Sequence, residues 1–501
     1  MNASDEKGSE DVKPVSKWRR ALPQVIASTI KNLLLLDLGM TIAFPTIAIP
    51  VLTDGSDPEG IRFTVTDASW FGSVIYICQP IGSVLSGSVL DYLGRKYSLM
   101  AVNVPHLVGW LLYYTAKSKL QMFLTAIIMG LGVGFMEAPI ITYVGEICEP
   151  KLRGTLTAYA SLFATFGITL MYGLGTVVDW RTAALIATGL PIFTILALTQ
   201  VPETPLWLLA RGREEDAEKA LQWLRGWVEP GAVRPELADL KRYASSATLA
   251  YDNPACDEPP QVGEEPNPKF QHGSWLSNIK DVARPAVFKP LFLIIGLFFF
   301  SNFTGVTSTR PYMILIIKEL QFPIEAFRGT VIFGATGFAG SVFCMVTIAW
   351  FKKRPIAFFG MASSALLAFA LAAVPPGGWV PVALYTALQF CTSYGATGLV
   401  WTLVSEVFPL RGRGTASGLA GASSYIVMFA ATKSFQSLKD LMGPQGVFYF
   451  FGSCSFIGFL FIYFLMPETE GISLEQIEKN YEKSMLYRKT QKTENTENTA
   501  V

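Results

Sequence analysis

Apolar runs of about twenty residues recur along the chain, broken by short polar or glycine-containing segments. They fall at about 25–52, 68–90, 97–116, 120–145, 154–177 and 182–201. After a long polar interval they resume at about 288–317, 329–350, 355–374, 380–405, 414–437 and 447–466. A helix of that length crosses the roughly 30 Å hydrocarbon layer of a bilayer. Backbone in lipid has no water to bond, so each run must satisfy its own amides, and a helix does so. The pattern predicts an all-α polytopic membrane protein of twelve transmembrane helices in two groups of six.

The polar segments divide the chain into an N-terminal segment 1–24, a six-helix half 25–201, an interval 202–287, a second half 288–466 and a tail 467–501. In the interval, Glu215, Ala217, Ala220, Leu221, Trp223 and Leu224 alternate apolar and charged at helical spacing, which predicts amphipathic surface helices. From Asp252 to Pro268 the chain is rich in Pro, Glu and Gly and reads as a flexible linker, and the tail from about Lys483 reads as low-complexity chain. An even number of spans puts both termini on one side. Lys17, Arg19, Arg20, Arg95, Lys96, Lys151, Arg153, Lys352, Lys353, Arg354, Arg411 and Arg413 crowd that side, and the sparser opposite loops hold Arg62, Lys117, Lys119, Arg181, Lys318, Arg328 and Lys439. The bias predicts cytoplasmic termini, in a protein of the plasma membrane. Residues 1–20 have no apolar core of signal-peptide length.

Composition agrees with this picture and narrows it. Of 501 residues 51% are hydrophobic and 16% charged, where soluble domains carry roughly a quarter charged; mean hydropathy is +0.37. A formal net charge of +1 without a basic cluster gives no footprint for nucleic acid. The six cysteines are scattered, with no disulfide framework or metal-ligand spacing. No catalytic constellation is present, so the chain is not read as an enzyme and no cofactor is expected. No phosphate-cradling Gly loop ending in Lys-Ser/Thr appears, which argues against ATP-driven transport.

Three motifs repeat in one order at nearly one offset. Gly94-Arg95-Lys96 returns as Lys352-Lys353-Arg354, Glu146 with Arg153-Gly154 returns as Glu406 with Arg413-Gly414, and Pro202-Glu203-Thr204 returns as Pro467-Glu468-Thr469. The chain is thus two homologous six-helix halves, an arrangement of secondary transporters that bind solute between the halves.

GSVLDYLGRK (Gly87 to Lys96) resembles the GxxxDxxGR[KR] signature of the major facilitator superfamily. YVGEICEPKLRG (Tyr143 to Gly154), PETPLWL (Pro202 to Leu208), EVFPLRGRG (Glu406 to Gly414) and PETEG (Pro467 to Gly471) resemble signatures of its sugar porter family, in that family's order and over nearly the whole chain. Within the family, TKSFQSL (Thr432 to Leu438) and the stretch from Pro202 to Gly226 are similar to insect facilitated trehalose transporters and their paralogues. The resemblance implies the major facilitator fold and rocker-switch alternating access. It implies a latch of Asp91, Arg95, Glu146, Arg153, Glu406, Arg411 and Arg413 that joins the halves on the cytoplasmic side when the outside is open. It also implies that the amphipathic helices cover this latch. Ala349 stands where many relatives have an acid and Lys352 where they have Gly, which implies a weaker latch in the second half.

The resemblance thins at the sugar-contacting positions. The seventh-span signature QQxSGxN reads Ser301-Asn302-Phe303-Thr304-Gly305-Val306-Thr307, the fifth-span Gln is Ser161, the eighth-span Asn is Gly337, and the eleventh-span Asn-Trp is Ser424-Tyr425. The tenth-span GPxPW keeps only Trp401, and the fourth-span Arg is Ala126. The substrate-binding set implied by position is Asn302, Trp401, Ser161, Thr307 and Ser301. Fewer amides mean weaker hexose binding or a changed solute.

Four ionisable residues lie within the runs: Asp37, Glu137, Arg310 and Lys433. Such groups face a cavity or a partner in lipid. Asp37 reads as a cavity-facing or proton-sensitive group or as a hydrogen-bonded structural acid, and Glu137 as a neighbour of the first span. Arg310 and Lys433 read as snorkelling outward, with an Asp37–Arg310 pair across an outer gate as the alternative. His106 and His272 have no metal or nucleophile partner at useful spacing and read as structural or solvated. The functional expectation is facilitative uniport of a sugar, trehalose or a hexose. The alternatives are symport with protons as a second partner, and a nutrient sensor with transporter fold.

Overall fold

A computed structural model describes residues 16–252, 285–408 and 413–468 of the chain. All twelve expected intervals are helical. Spans 1 to 3 are Lys17–Asp54, Val65–Leu93 and Arg95–Tyr114. Span 4 joins Lys119–Phe135 to Glu137–Ile147, and spans 5 and 6 are Pro150–Val177 and Trp180–Thr199. Span 7 runs Pro285–Asn302, Val306–Thr309, a 3-10 turn Arg310–Tyr312 and Met313–Glu319. Spans 8 and 9 are Ala326–Phe351 and Lys353–Ala373. Span 10 is Trp379–Thr392, a π-helical turn Ser393–Thr397 and Gly398–Val407. Arg413–Leu465 is broken at Gly443 (φ 74°) into span 11, 413–442, and span 12, 444–465. Among the described residues, length and apolarity alone would pick out eight helices, with spans 11 and 12 counted as one, or nine with the bent span 7. Span 3 falls short in apolarity, carrying Asn103, Pro105 and His106, and span 10 in length because its π turn divides it.

Helix starts follow local chemistry. Thr64 and Asp67 form a reciprocal capping box on span 2, and Asp179 caps span 6 through the amides of Arg181 and Thr182. The repeated Pro-Glu-Thr motifs cap at a distance. Glu203 accepts the backbone N–H groups of Arg95 and Lys96 at 3.1 and 3.0 Å, and Glu468 accepts that of Arg354 at 3.3 Å. Each carboxylate thus sits on the N-terminus of span 3 or span 9, where the helix dipole favours an anion. The residue before each helix has left-handed φ: Gly94 at 88° and Lys352 at 61°. Glycine adopts that conformation freely and lysine does not.

Each half packs its spans closely. A Cβ on Gly39 would stand 2.0 Å from the Ala164 carbonyl oxygen, and one on Gly167 2.0 Å from that of Leu36, so spans 1 and 5 touch backbone to backbone.

The core is arranged by depth. On the face away from the termini, called distal here, one apolar cluster takes residues from both halves, from Phe44, Phe71 and Trp110 to Tyr312, Phe333 and Phe448. Toward the termini it divides. Leu99, Val133, Tyr143 and Leu198 form a core of the first half, and Leu297, Met361, Leu403 and Phe408 one of the second. The halves are therefore fused distally and separately packed near the termini.

In the polar interval Pro205–Ala210, Glu214–Leu224 and Pro230–Asp252 are helical. Ala217, Ala220, Leu221 and Leu224 are buried, and the first three pack with Leu208, Val233 and Leu237. Arg225 ties this unit to the first half through Glu149 (3.5 Å), the Ile147 carbonyl (3.2 Å) and Glu236 (2.6 Å). The expected linker, His272 and the tail lie outside the described residues.

Candidate functional site

The seam between the halves is closed distally by contacts of several kinds. Thr46 Oγ1 donates to the Arg310 carbonyl at 2.8 Å, pinning the 3-10 turn of span 7 to span 1. A Cβ on Gly72 would meet the Pro311 Cβ at 2.9 Å. Trp70 lies between Phe429, 6.1 Å away between ring centroids, and the Lys433 ammonium, 4.0 Å from its ring. Lys433 also donates to Ser69 at 3.2 Å, and Lys318 reaches Asp54 at 3.6 Å. Deeper in, Phe166 meets Phe338 at 5.5 Å.

Glu137 makes a further side-chain contact across the seam. Its carboxylate accepts the Ser83 hydroxyl at 3.1 Å, interacts with the Tyr425 hydroxyl of span 11, and would lie 2.3 Å from a Cβ on Gly421. The segment of span 4 that Glu137 starts does neighbour span 1, as expected, while the Glu137 carboxylate itself faces spans 2 and 11.

Asp37 is fully buried in the first half. Trp110 Nε1 donates to its Oδ1 at 2.8 Å, and His106 Nδ1 lies against its Oδ2. His106 is thus a buried structural histidine, brought against Asp37 by its place one helical turn before Trp110 on span 3. No Asp37–Arg310 pair forms. Two polar groups that converge on a buried carboxylate offset part of its desolvation.

Arg310 goes elsewhere. Its guanidinium interacts with the Tyr76 hydroxyl and stands near those of Tyr172 and Tyr385, which come from spans 2, 5 and 10. Tyr385 is itself bonded to Thr309 Oγ1 at 2.9 Å, while the Tyr172 hydroxyl lies beside that of Thr46. Among the described residues no carboxylate pairs with Arg310 or Lys433. Neither side chain snorkels freely: both are held at the seam.

The sugar-contacting positions are partly turned inward. Asn302 Nδ2 and Ser301 Oγ donate to the Phe298 carbonyl of their own helix, at 2.8 and 3.2 Å. Thr307 is buried on the short helix after the break at Gly305. Ser161 does face the seam, its Oγ 3.9 Å from a Cβ built on Gly398. Trp401, one turn on, packs within the second half between Phe298 (4.9 Å) and Tyr425 (6.0 Å).

On the termini face Arg95 binds Glu146 through Nη2 at 2.8 Å and Nε at 3.0 Å, and Thr204 donates to the other oxygen of Glu146. This pair lies within the first half. Burial pushes the Glu203 carboxyl beside it above the usual range, against the backbone N–H groups that lower it. Arg411 and the side chains of Asp91, Arg153, Glu406 and Arg413 lie outside the described residues.

Sequence reasoning missed Lys31, buried in span 1 beside Cys148. It also missed the three tyrosines. Lys31 carried a legible signal, a lysine six residues before Asp37 in the same run, but tyrosines spread over three spans meet only through the fold. Among the described residues no group of three His, Cys, Asp or Glu side chains could hold a metal.

The model of the family described as sugar (and other) transporter matches residues 39–481. Facilitated trehalose transporter Tret1 of Drosophila virilis is 30% identical over 478 residues, 93% of this chain and 49% of the relative. Tret1 of Polypedilum vanderplanki is 29% identical over 467 residues, 91% of this chain and 87% of the relative. The chain thus spans about half the length of most of these curated relatives. Among solved structures, the major facilitator superfamily proton:xylose symporter XylE bound to 6-bromo-6-deoxy-D-glucose superposes with a TM-score of 0.72 at 19% identity, covering 92% of this chain and 100% of XylE. The inward open form of the xylose transporter XylE from E. coli superposes at 0.69 and 19% identity, covering 90% of this chain and 98% of that one.

Proposed function

Because the chain belongs to the sugar (and other) transporter family of the major facilitator superfamily, and is an integral membrane protein rather than an enzyme, we propose that it carries a sugar, trehalose or a hexose, by alternating access as a facilitative uniporter. The observation that supports this most is the division of the core by depth: one distal cluster shared by the halves, two separate clusters toward the termini. That is the packing of a carrier closed on one face and ready to part on the other. With Arg19, Arg20, Arg95 and Lys96 gathered on the termini face, that face is cytoplasmic in this reading and the membrane is the plasma membrane. Ser161 and Trp401 line the path, with Asn302, Ser301 and Thr307 behind them. In the opposite state Glu146, Arg95 and their second-half counterparts latch the cytoplasmic ends. A difference of a few kcal/mol between states suffices to bias the cycle.

The test is uptake of labelled trehalose and glucose into cells that display the chain, with and without a proton ionophore. Saturable uptake that ignores the ionophore supports uniport; no uptake of either sugar contradicts the reading.

A second reading is proton-coupled transport, and the Asp37–His106 contact is what favours it. Uptake abolished by the ionophore at clamped membrane potential, and restored to ionophore-insensitive exchange in His106→Gln, is its expected mark. Uptake indifferent to the proton gradient sinks it.

A further inference from the structure

Arg310 is the feature of the seam that a neutral sugar does not explain. It sits at the first residue of the 3-10 turn in span 7, partly exposed, with buried residues on both sides. A cation kept at membrane depth normally has a counter-charge. The acids at hand are engaged elsewhere: Asp37 with Trp110 and His106, Glu137 with Ser83 and Tyr425. Lys433, the other cation of the seam, sits over Trp70 and adds positive charge. Lys318 and Asp54 neutralise one another at the distal rim.

The surrounding groups sharpen the argument. Guanidinium has five N–H donors and no acceptor, so a tyrosine oxygen facing it accepts, and the phenolic hydrogen is left to donate elsewhere. Tyr76 interacts with Arg310 in this way, and the Tyr172 hydroxyl stands near the guanidinium and the Thr46 hydroxyl. Arg310 and Tyr76 therefore present donors. A sugar hydroxyl, which must donate as well as accept, is poorly matched to it, whereas a carboxylate accepts only and suits a planar guanidinium. Meanwhile Asn302 and Ser301, which by position would read sugar hydroxyls, bond to their own helix.

We propose that the solute carried between the halves is a small polyhydroxylated carboxylate, a sugar acid, whose carboxylate is the counter-charge of Arg310 among the hydroxyls of Tyr76 and Tyr172. This deepens the carrier reading above and rests on its alternating access, adding an acidic sugar to the solutes that the seam accepts. Ser161 and Trp401 then meet the polyol portion.

D-Gluconate is the probe, with D-glucose as its neutral counterpart. The primary readout is the melting temperature of the detergent-purified full chain, which needs no transport. Gluconate is expected to raise it in a saturable way for the wild type, with half-saturation shifted about tenfold or more in Arg310→Gln and much less in Arg310→Lys. The unliganded melting temperature of each variant shows whether it folds. In proteoliposomes, gluconate uptake should carry net negative charge inward and the gluconate-to-glucose ratio should fall about tenfold in Arg310→Gln. If gluconate leaves the melting temperature unmoved, or shifts wild type and Arg310→Gln alike, the proposal is overturned whatever the chain does with neutral sugars. Binding of gluconate through Arg310 without uptake of any solute would keep the site and overturn the carrier reading instead.

Discussion

The first half encloses Asp37, whereas the second leaves its intramembrane cations, Arg310 and Lys433, on the seam. Asp37 is buried against His106 and Trp110, and Arg95 is bound to Glu146 within its own half. In the second half Arg310 and Lys433 reach across to tyrosine, tryptophan and serine of the first. Yet the backbone repeat is retained, down to a carboxylate from each Pro-Glu-Thr motif capping the start of span 3 or span 9. Geometry that closes a six-helix unit is shared, while the charges that decide what passes between units differ. The difference between otherwise matching halves is where solute and coupling are set.

The sharpest way to break this contrast is to remove His106. Its loss leaves the buried Asp37 with Trp110 alone, and breaking a buried pair costs about 3–5 kcal/mol. His106→Leu should lower the melting temperature markedly, and Asp37→Leu combined with it should recover part of that loss. A double-mutant cycle with no coupling would mean that the two groups do not support one another.

Packing gives a second, somewhat smaller contrast. Gly39 faces the Ala164 carbonyl, which cannot retreat without moving span 5, whereas a Cβ on Gly296 would meet the far edge of the Phe461 ring, which can turn. Gly39→Ala should cost on the order of 3 kcal/mol, seen as loss of the monodisperse peak on size exclusion, and Gly296→Ala far less. Equal losses would contradict the backbone-to-backbone packing assigned to spans 1 and 5.

Lys352 offers a gain. It holds φ 61° and ψ 171°, a region occupied almost only by glycine. Lys352→Gly should stabilise the chain by about 1 kcal/mol, while Gly94→Ala should destabilise it through strain and contact with Glu203 Oε2. Melting curves of the two variants should move in opposite directions.

The smallest effect is one of pH. Burial raises the Asp57 carboxyl, but hydrogen bonds from Arg181 and the Ile61 amide outweigh it and hold the group below its ordinary 3.8. A depressed folded pKa means that the contribution is complete above the unfolded value and lost as pH falls through the folded one. Stability should therefore drop below about pH 4, and Asp57→Asn should remove that part of the acid limb. An identical acid limb in the variant would argue that Arg181 does not hold Asp57 charged.

The sequence foretold the helices better than the site, for physical reasons. Twenty-residue apolar runs and the three repeated motifs are local signals, and the twelve spans follow them closely. The break at Gly305 and the π turn at Ser393–Thr397 left no such mark, because both are set by packing between spans. Asp37 was readable as an acid within an apolar run. Its partners were not, since His106 and Trp110 are ordinary members of another helix until the fold brings span 3 against span 1. Arg310 was readable as a cation within an apolar run, expected to snorkel outward, but the tyrosines around it belong to spans 2, 5 and 10, and no linear spacing joins them.

The central claim is that the distal ends, fused in this structure, must part for solute to pass. Trp70→Cys with Phe429→Cys places one thiol on each half, where the rings now lie 6.1 Å apart. A short bifunctional thiol reagent that is released by reduction can then tie them together. In a background whose uptake is insensitive to the reagent, the account predicts that cross-linking stops uptake and reduction restores it. Undiminished uptake after complete cross-linking would contradict alternating access through this seam.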